Sequence, residues 1–148
     1  DAFHMTLPSE DGDGAKRCMS NAINDAGIKP QDINYINAHG TSTPAGDVVE
    51  VRAIKSLFKE HSKNLIINST KSMIGHLLGA AGGVEALVTV LSLKNQQIHP
   101  TINVENQDPE CDLDFNTKSS KDADINIALS NSFGFGGTNG SLIFSKYD

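Results

Sequence analysis

Two stretches of the chain repeat apolar residues with the period of an amphipathic helix. In the first, residues 13–27, apolar side chains recur three and four positions apart, and Gly27 ends the pattern. The second begins at Asp47, which together with Glu50 resembles a capping box, and it continues to about residue 61. We expect each helix to bury its apolar face and to expose its charged residues.

A third helical stretch, residues 79–95, is apolar on nearly every side. Helices of this kind are usually enclosed by protein. Its glycine-rich beginning allows another backbone to approach closely, because no side chains hold that backbone away. Glu85 is a charged residue on this apolar helix, and a buried charge is costly unless it has a partner. We therefore expect Glu85 to pair with a cationic side chain.

Shorter runs rich in β-branched and aromatic residues separate the helices and indicate strands. The last two runs flank a glycine-rich turn and are expected to pair antiparallel. Helices that alternate with strands predict an α/β domain, and residues 1–148 are too few for two typical domains. The predicted strands are residues 33–38, 65–68, 112–115, 124–132 and 141–145.

Composition and charge exclude several classes of protein. A net charge of −6 and a pI near 5.2 argue against the basic surface that binds nucleic acid. No apolar run approaches the ~20 residues that span a bilayer. The opening segment is polar and acidic, unlike a signal or transit peptide, and is typical of a loop inside a longer chain. Cys18 and Cys111 lack the spacing of a zinc or redox motif.

Polar loops follow three of the predicted strands, at residues 37–47, 68–82 and 130–140. In α/β sheets, functional groups collect beyond the carboxyl ends of the strands. The three loops contain two histidines, one lysine and a double-glycine turn. The sequence therefore predicts that these groups converge on one site.

The three loops resemble the C-terminal signatures of the β-ketoacyl-[acyl carrier protein] synthases in sequence, order and spacing. The matching segments are His39-Gly40-Thr41-Ser42-Thr43-Pro44 with Gly46-Asp47, Lys71-Ser72-Met73-Ile74-Gly75-His76, and Gly134-Phe135-Gly136-Gly137-Thr138-Asn139. The resemblance implies the C-terminal half of a thiolase-like α/β fold, in which a mixed sheet packs with helices that include one buried central helix. It also implies that the nucleophilic cysteine lies in an N-terminal half absent from this chain.

By their positions in the motifs, His39 and His76 match the paired catalytic histidines of that family. Decarboxylation of a malonyl thioester produces an enolate, and two imidazole N–H donors aimed at its oxygen would stabilise the developing charge. Lys71 and Glu85 match a lysine and a glutamate of the same site. Their ion pair is expected to tune the histidines electrostatically.

Other positions match groups that handle the substrate. Thr41 and Thr43 correspond to hydroxyls that bind the pantetheine arm of the carrier protein. Phe135 corresponds to a gating phenylalanine, and Gly136 belongs to the flexible loop that would bring a backbone N–H to the thioester oxygen. The resemblance implies no cofactor, since the phosphopantetheine arm acts as a substrate carrier.

Some relatives bind a monovalent cation, and here the candidate ligands are Asn37, Glu85, Ser130 and Asn131. The implied partners are acyl carrier protein, acyl and malonyl thioesters, the N-terminal half, and a second subunit of a homodimer. Three histidines match no motif and are predicted to lie at the surface: His4, His61 and His99.

Histidine at both catalytic positions indicates an elongating synthase of fatty-acid biosynthesis. Two alternatives stay open: a polyketide ketosynthase with the same chemistry, and a non-catalytic subunit similar to a chain-length factor. Ser42 in the first motif and a chain that ends soon after the last strand favour the fatty-acid enzyme. We expect this chain alone to be inactive, and the whole protein to work in the bacterial cytoplasm or, in a eukaryote, in a plastid or mitochondrion.

Overall fold

The computed structural model describes residues 1–147, which form a mixed sheet with helices on both faces. The strands are β1 (Tyr35–Asn37), β2 (Ile66–Asn68), β3 (Gln97–Ile98), β4 (Lys121–Asp122), β5 (Ile127–Phe133) and β6 (Asn139–Ser145). The helices are α1 (Asp13–Asp25), α2 (Gly46–Phe58), α3 (Lys71–Ile74) and α4 (Ala81–Asn95).

The main sheet has the strand order β2-β1-β5-β6. β1 lies parallel to both neighbours, with Asn37 opposite Asn68 on one side and Ser130 on the other. β6 pairs antiparallel with β5, as the glycine-rich turn between them predicts. Because β2, β1 and β5 run in the same direction, the three polar loops leave the same edge of the sheet.

The first face of the sheet is covered by α1 and α2. Their apolar stripes meet the strands in a core that includes Met19, Ile36, Ile54, Phe58 and Leu129, each no more than 1% exposed. Burying one such side chain contributes about 1.5–3 kcal/mol relative to leaving it in water. This face therefore supplies most of the apolar packing within the chain.

The second face of the sheet is covered by α4, and its packing is more polar. The buried positions of α4 include Glu85, Thr89 and Ser92, whereas Leu87 on its outer side is 59% exposed. A smaller apolar cluster around Tyr35 completes this face. The sequence predicts that α4 is enclosed on all sides, whereas this chain covers it on one side only.

The predictions of a strand at residues 112–115 and of the end of α2 are wrong. Residues 112–115 form no strand, because Leu113 turns into the core while Asp114 contributes a single backbone hydrogen bond, accepted from Ile67 at the edge of β2. Helix α2 ends at Phe58 rather than near residue 61, because Lys59 has a φ of 51° and starts a 3-10 turn. Within residues 1–147, no helix is long and apolar enough to cross a membrane.

Candidate active site

The two motif histidines lie together at the shared edge of the sheet. His39 follows β1, and His76 follows the single turn of α3. Their ring centroids are 5.5 Å apart with the rings nearly perpendicular, and the ring of Phe133 lies 5.8 Å from that of His39. The fold therefore joins two histidines that are 37 positions apart in the sequence.

His39 is held in its neutral form. Burial, the positive charge of Lys71 and the neighbouring His76 lower the pKa of His39 to about 4, in that order of importance. Its Nδ1 atom is buried and has no hydrogen-bond partner among the described residues. At neutral pH the ring therefore keeps one N–H that can serve as a donor.

Glu50 fixes the backbone at His39, a role that the sequence analysis missed. Its two carboxylate oxygens accept hydrogen bonds from the backbone N–H groups of His39, at 3.0 Å, and Gly40, at 2.9 Å. Asn131 of β5 donates a third bond at 3.1 Å. Burial raises the pKa of Glu50, while these three donors act to lower it. The carboxylate thus locks the start of the first motif loop to the sheet.

The predicted capping box at the start of α2 is therefore wrong. Helix α2 begins at Gly46, so Glu50 lies more than a turn inside it and reaches across to the loop instead of capping its own helix. Asp47 accepts a hydrogen bond from the backbone N–H of Ser42 at 3.0 Å and so closes the same loop from the other side. The signal was present in the sequence, because Glu50 is a charged residue four positions before Ile54 on the buried face.

His76 has a defined tautomer. The backbone N–H of Leu78 donates to Nδ1 of His76 at 3.1 Å, so Nδ1 is the acceptor and the hydrogen of a neutral ring lies on Nε2. The residue is exposed, and so are its neighbours on both sides. His76 therefore presents a free N–H donor next to His39.

Lys71 and Glu85 form a buried ion pair between α3 and α4, with side chains 4% and 1% exposed. This is the pairing that the apolar surroundings of Glu85 and the family motifs both predict. Burial raises the pKa of Glu85, whereas the hydrogen bond and charge of Lys71 lower it. The second carboxylate oxygen of Glu85 has no partner among the described residues.

Thr41 and Thr43 lie on the rim of a cavity of about 840 Å³ that also borders Lys71 and His76. The two hydroxyl oxygens are 3.4 Å apart, and Thr43 also accepts a hydrogen bond from the backbone N–H of Gly46. Both threonines therefore border the same cavity as Lys71 and His76. This position is compatible with binding an extended polar arm, although Thr43 also stabilises its own loop.

Phe135 and Gly136 lie in the turn between β5 and β6. The side chain of Phe135 is 76% exposed, so Phe135 is not part of the core. Gly136 has a φ of 69°, a conformation that favours glycine, and its N–H donates to the carbonyl of Met5 at 2.8 Å. In this conformation the turn is tied to the first residues of the chain.

The four candidate cation ligands are not brought together. Asn37 and Glu85 meet on the α4 face, where Asn37 donates to the carbonyl of Glu85 at 3.2 Å. Ser130 lies opposite Asn37 in the sheet and shares that face. Asn131 points to the other face, because side chains alternate along a strand, and there it contacts Glu50 and Met19. The predicted set is therefore divided by β5.

Two of the histidines predicted at the surface are partly buried. His61 contacts the carbonyl oxygen of Ile33 through Nε2 at 2.9 Å. His99 lies beneath α3, with Nε2 3.1 Å from the hydroxyl of Thr70. Neither contact follows from the sequence, since both partners are about 30 positions away. His4 is exposed, as predicted.

The sheet and the helices on its two faces have the thiolase-like fold of the ketosynthases, over the part of those proteins that this chain covers. A ketosynthase of a type II polyketide system, in complex with its acyl-carrier protein, matches with a TM-score of 0.97 and 40% identity, over 100% of this chain and 36% of that one. A β-ketoacyl synthase from Burkholderia phymatum matches with a TM-score of 0.92 and 40% identity, over 100% and 35%. The ishigamide ketosynthase/chain length factor matches with a TM-score of 0.93 and 37% identity, over 100% and 36%.

The chain belongs to the β-ketoacyl synthase family, since residues 1–105 match the family model described as the C-terminal domain. The 3-oxoacyl-[acyl-carrier-protein] synthase 2 of Staphylococcus aureus is 53% identical over 148 residues, which are 100% of this chain and 36% of the relative. The enzyme of the same name from a Synechocystis species is 54% identical over 147 residues, 99% of this chain and 35% of the relative. The chain thus spans little more than a third of the length of these relatives.

Proposed function

We propose that the whole protein condenses an enzyme-bound acyl group with malonyl-[acyl carrier protein] in fatty-acid elongation. In this proposal the present chain supplies the two histidines, and the remainder of the protein supplies the nucleophilic cysteine. The observation that carries the proposal is the pair of imidazoles 5.5 Å apart, with His39 held neutral and the Nε2 hydrogen of His76 free.

The geometry suits the decarboxylation step. As the bond between the malonyl carboxylate and the α-carbon breaks, its electron pair moves into the thioester and carbon dioxide leaves. The negative charge develops on the thioester oxygen, where N–H groups of His39 and His76 would donate to it. The enolate carbon then attacks the acyl thioester on the cysteine, forms the new carbon–carbon bond and releases the cysteine thiolate.

Lys71 and Glu85 support this step indirectly in our proposal. The ammonium of Lys71 is one cause of the lowered pKa of His39, and so it helps to keep that ring neutral. Glu85 balances the charge of Lys71 inside the protein and holds α3 against α4. Thr41 and Thr43 would bind the pantetheine arm along the cavity that leads to His76 and Lys71.

Substitution of the histidines tests the proposal. In the full-length protein, His39→Ala and His76→Ala should each lower malonyl decarboxylation by ~10²–10³-fold, the usual cost of a lost oxyanion donor. Transfer of the acyl group to the cysteine should partly survive, because it depends mainly on the nucleophile and its own donors. His61→Ala is the matched control, since His61 lies outside the site. Decarboxylation within threefold of wild type in either site variant would exclude the assignment.

Phe135 is proposed to gate the acyl pocket. Its large exposed side chain is carried on a turn made of glycines, a setting suited to motion. Phe135→Ala should slow acylation of the cysteine and leave the free energy of unfolding within about 0.5 kcal/mol of wild type, as for other exposed positions. Normal acylation kinetics together with a loss of ~3–5 kcal/mol would instead identify a core phenylalanine.

A polyketide ketosynthase is the second candidate, and the likeness to solved polyketide enzymes favours it. The higher identity to the two fatty-acid enzymes favours our first choice. A chain-length factor that lacks catalysis fits less well, because His39, Lys71 and His76 are all present and in contact or close proximity. An assay with malonyl-[acyl carrier protein] separates the candidates: one extension per acyl chain indicates fatty-acid elongation, and repeated extension without reduction indicates a polyketide enzyme.

The remaining parts of the proposal concern binding partners, assembly and cellular location. We propose that the protein binds acyl carrier protein, as the ketosynthase of the type II polyketide system does. A homodimer is the expected assembly, and a bacterial cytoplasm is the expected location because the named relatives come from bacteria. Analytical ultracentrifugation of the full-length protein, with and without carrier protein, tests the first two points.

A further inference from the structure

His99 lies outside the three motif loops and has no part in the chemistry proposed above. It follows β3 and is half-buried. Its Nε2 atom is 3.1 Å from the hydroxyl oxygen of Thr70, and its Nδ1 atom is 2.9 Å from the carbonyl oxygen of Pro100. Thr70 is the residue immediately before Lys71, so the ring of His99 contacts the residue that precedes the second motif.

Thr70 anchors α3 through both its backbone and its side chain. Its carbonyl oxygen accepts hydrogen bonds from the backbone N–H groups of Met73 and Ile74, at 3.0 and 3.3 Å. Its hydroxyl lies 3.1 Å from Oδ1 of Asn37 in β1. The residue is 3% exposed, so water has little access to replace a lost partner.

The series of hydrogen bonds continues from Asn37 to α4. The amide nitrogen of Asn37 donates to the carbonyl of Glu85 at 3.2 Å and to the hydroxyl of Thr89 at 3.1 Å. Thr89 donates its own hydrogen to the carbonyl of Glu85 at 2.7 Å, so it acts as an acceptor toward Asn37. These acceptors fix the orientation of the Asn37 amide, with Oδ1 toward Thr70.

The direction of the bond between His99 and Thr70 follows from a count of hydrogens. The carbonyl oxygen of Pro100 can only accept, so the N–H of the His99 ring lies on Nδ1 and Nε2 is an acceptor. Oδ1 of Asn37 can also only accept, so the single hydroxyl hydrogen of Thr70 is shared between Nε2 of His99 and Oδ1 of Asn37. Without His99, the buried hydroxyl would lose one of its two partners.

We propose that His99 is a positioning residue for the decarboxylation site. By accepting a hydrogen bond from Thr70 it fixes the start of α3, and with it Lys71 opposite Glu85 and His76 at the end of the turn. The series of hydrogen bonds from His99 through Thr70 and Asn37 reaches the segment of α4 that carries Glu85, the partner of Lys71. This inference rests on the proposed function, which gives Lys71 and His76 their role in decarboxylation.

The test uses the full-length protein with His99→Leu, His99→Gln and Thr70→Val. Malonyl decarboxylation and acyl transfer to the cysteine are measured separately. His99→Leu should lower decarboxylation by ~10-fold, the effect of one lost buried hydrogen bond, and leave acyl transfer within about twofold. His99→Gln should recover most of the loss, because the oxygen of its side-chain amide can also accept from Thr70. Thr70→Val should resemble His99→Leu, and the double variant should be no slower than Thr70→Val alone.

Three outcomes would overturn the inference. Decarboxylation within twofold of wild type in both His99→Leu and Thr70→Val would show that the bond does not matter for the reaction. An equal fall of both activities without recovery in His99→Gln would show a purely structural role. Absence of decarboxylation in the wild-type protein would reject the proposed function itself, and the inference with it. If His99→Leu fails to fold, the near-isosteric Thr70→Val decides the question alone.

Discussion

The helices on the two faces of the sheet are built in opposite ways. Helix α2 buries Val51, Ile54 and Phe58 against the sheet and exposes Arg52 and Lys55. The two exposed side chains form ion pairs with Glu110 and Asp112 of the loop between β3 and β4, at 2.8 Å in each case. This is the usual construction of a helix whose outer side meets water.

Helix α4 has the reverse construction. It turns Glu85 and Thr89 toward the sheet and exposes Leu87, Val90 and Leu91, which are between 42% and 59% exposed. The segment before it adds four more exposed apolar side chains, namely Met73, Ile74, Leu77 and Leu78. Exposed apolar side chains gathered on one helix and on the segment before it are typical of a protein interface.

The difference between the outer sides of α2 and α4 indicates that the two faces of the sheet have different roles. The first face is complete within this chain, and its charged outer side needs no cover. The second face carries Lys71, Glu85 and the links to His76, and its apolar outer side is suited to contact with protein. We expect the remainder of the full-length protein to cover it, so that the reacting groups lie between two layers.

The test with the largest expected effect on stability compares one lysine from each face. Lys71→Met should lower the free energy of unfolding of the full-length protein by about 3–5 kcal/mol, because it leaves the buried carboxylate of Glu85 without its partner. Lys55→Met is the matched control, and it should cost less than about 1 kcal/mol because its ion pair with Asp112 is exposed. Urea unfolding of both variants measures the difference. Equal losses would show that the polar face is no more constrained than the surface.

The second test asks what covers α4. Leu87→Ala should have little effect on the stability of the isolated chain, where the side chain is exposed, but should cost about 2–4 kcal/mol in the full-length protein if the remainder packs on it. Ile54→Ala should be costly in both, since this chain buries it completely. The same small effect of Leu87→Ala in both proteins would mean that the outer side of α4 stays in water.

The isolated chain tests the exposed apolar side of α4 directly. With its apolar side uncovered, it should self-associate or bind a hydrophobic dye, and it should not condense acyl groups because it holds no assigned nucleophile. Addition of the N-terminal part should reverse the association and restore activity. Size exclusion, dye binding and a condensation assay measure these properties, and a dye-negative monomer would contradict the expectation.

The smallest expected effect is the contribution of His39 to the pH dependence of stability. The pKa of His39 is about 4 in the folded chain, below the ordinary value of about 6.5, so the unfolded state binds a proton more readily between these values. Stability should therefore fall as the pH drops from 7 to 5. Because the ring is partly exposed, we expect a contribution of only about 1–2 kcal/mol.

His39→Gln removes this contribution and provides the measurement. The variant should lose less stability than wild type between pH 7 and pH 5. Between pH 7 and pH 8 the two proteins should change alike, since His39 is then neutral in both states. Lys71→Met should raise the pKa of His39, because the ammonium is one of the causes that lower it. An identical pH dependence in His39→Gln and wild type would refute the assigned cause.

Much of the site could be predicted from local sequence. The three motif loops, the pairing of Lys71 with Glu85 and the approach of His39 to His76 all follow from strand order and from the family motifs. The role of Glu50 could have been found by the argument applied to Glu85, since both are charged residues on buried helix faces. It was missed because the spacing from Asp47 also fits a capping box, and spacing alone does not locate the first turn of a helix.

By itself the sequence determined the three long helices, the four strands of the main sheet and the residues of the three loops, because these depend on spacing between near neighbours in the chain. Only the tertiary structure decided which groups meet across the sheet. It placed Ser130 and Asn131 on opposite faces, brought His99 to Thr70, and turned the polar side of α4 inward. Each of these contacts joins distant residues, and its geometry depends on the packing of several elements at once.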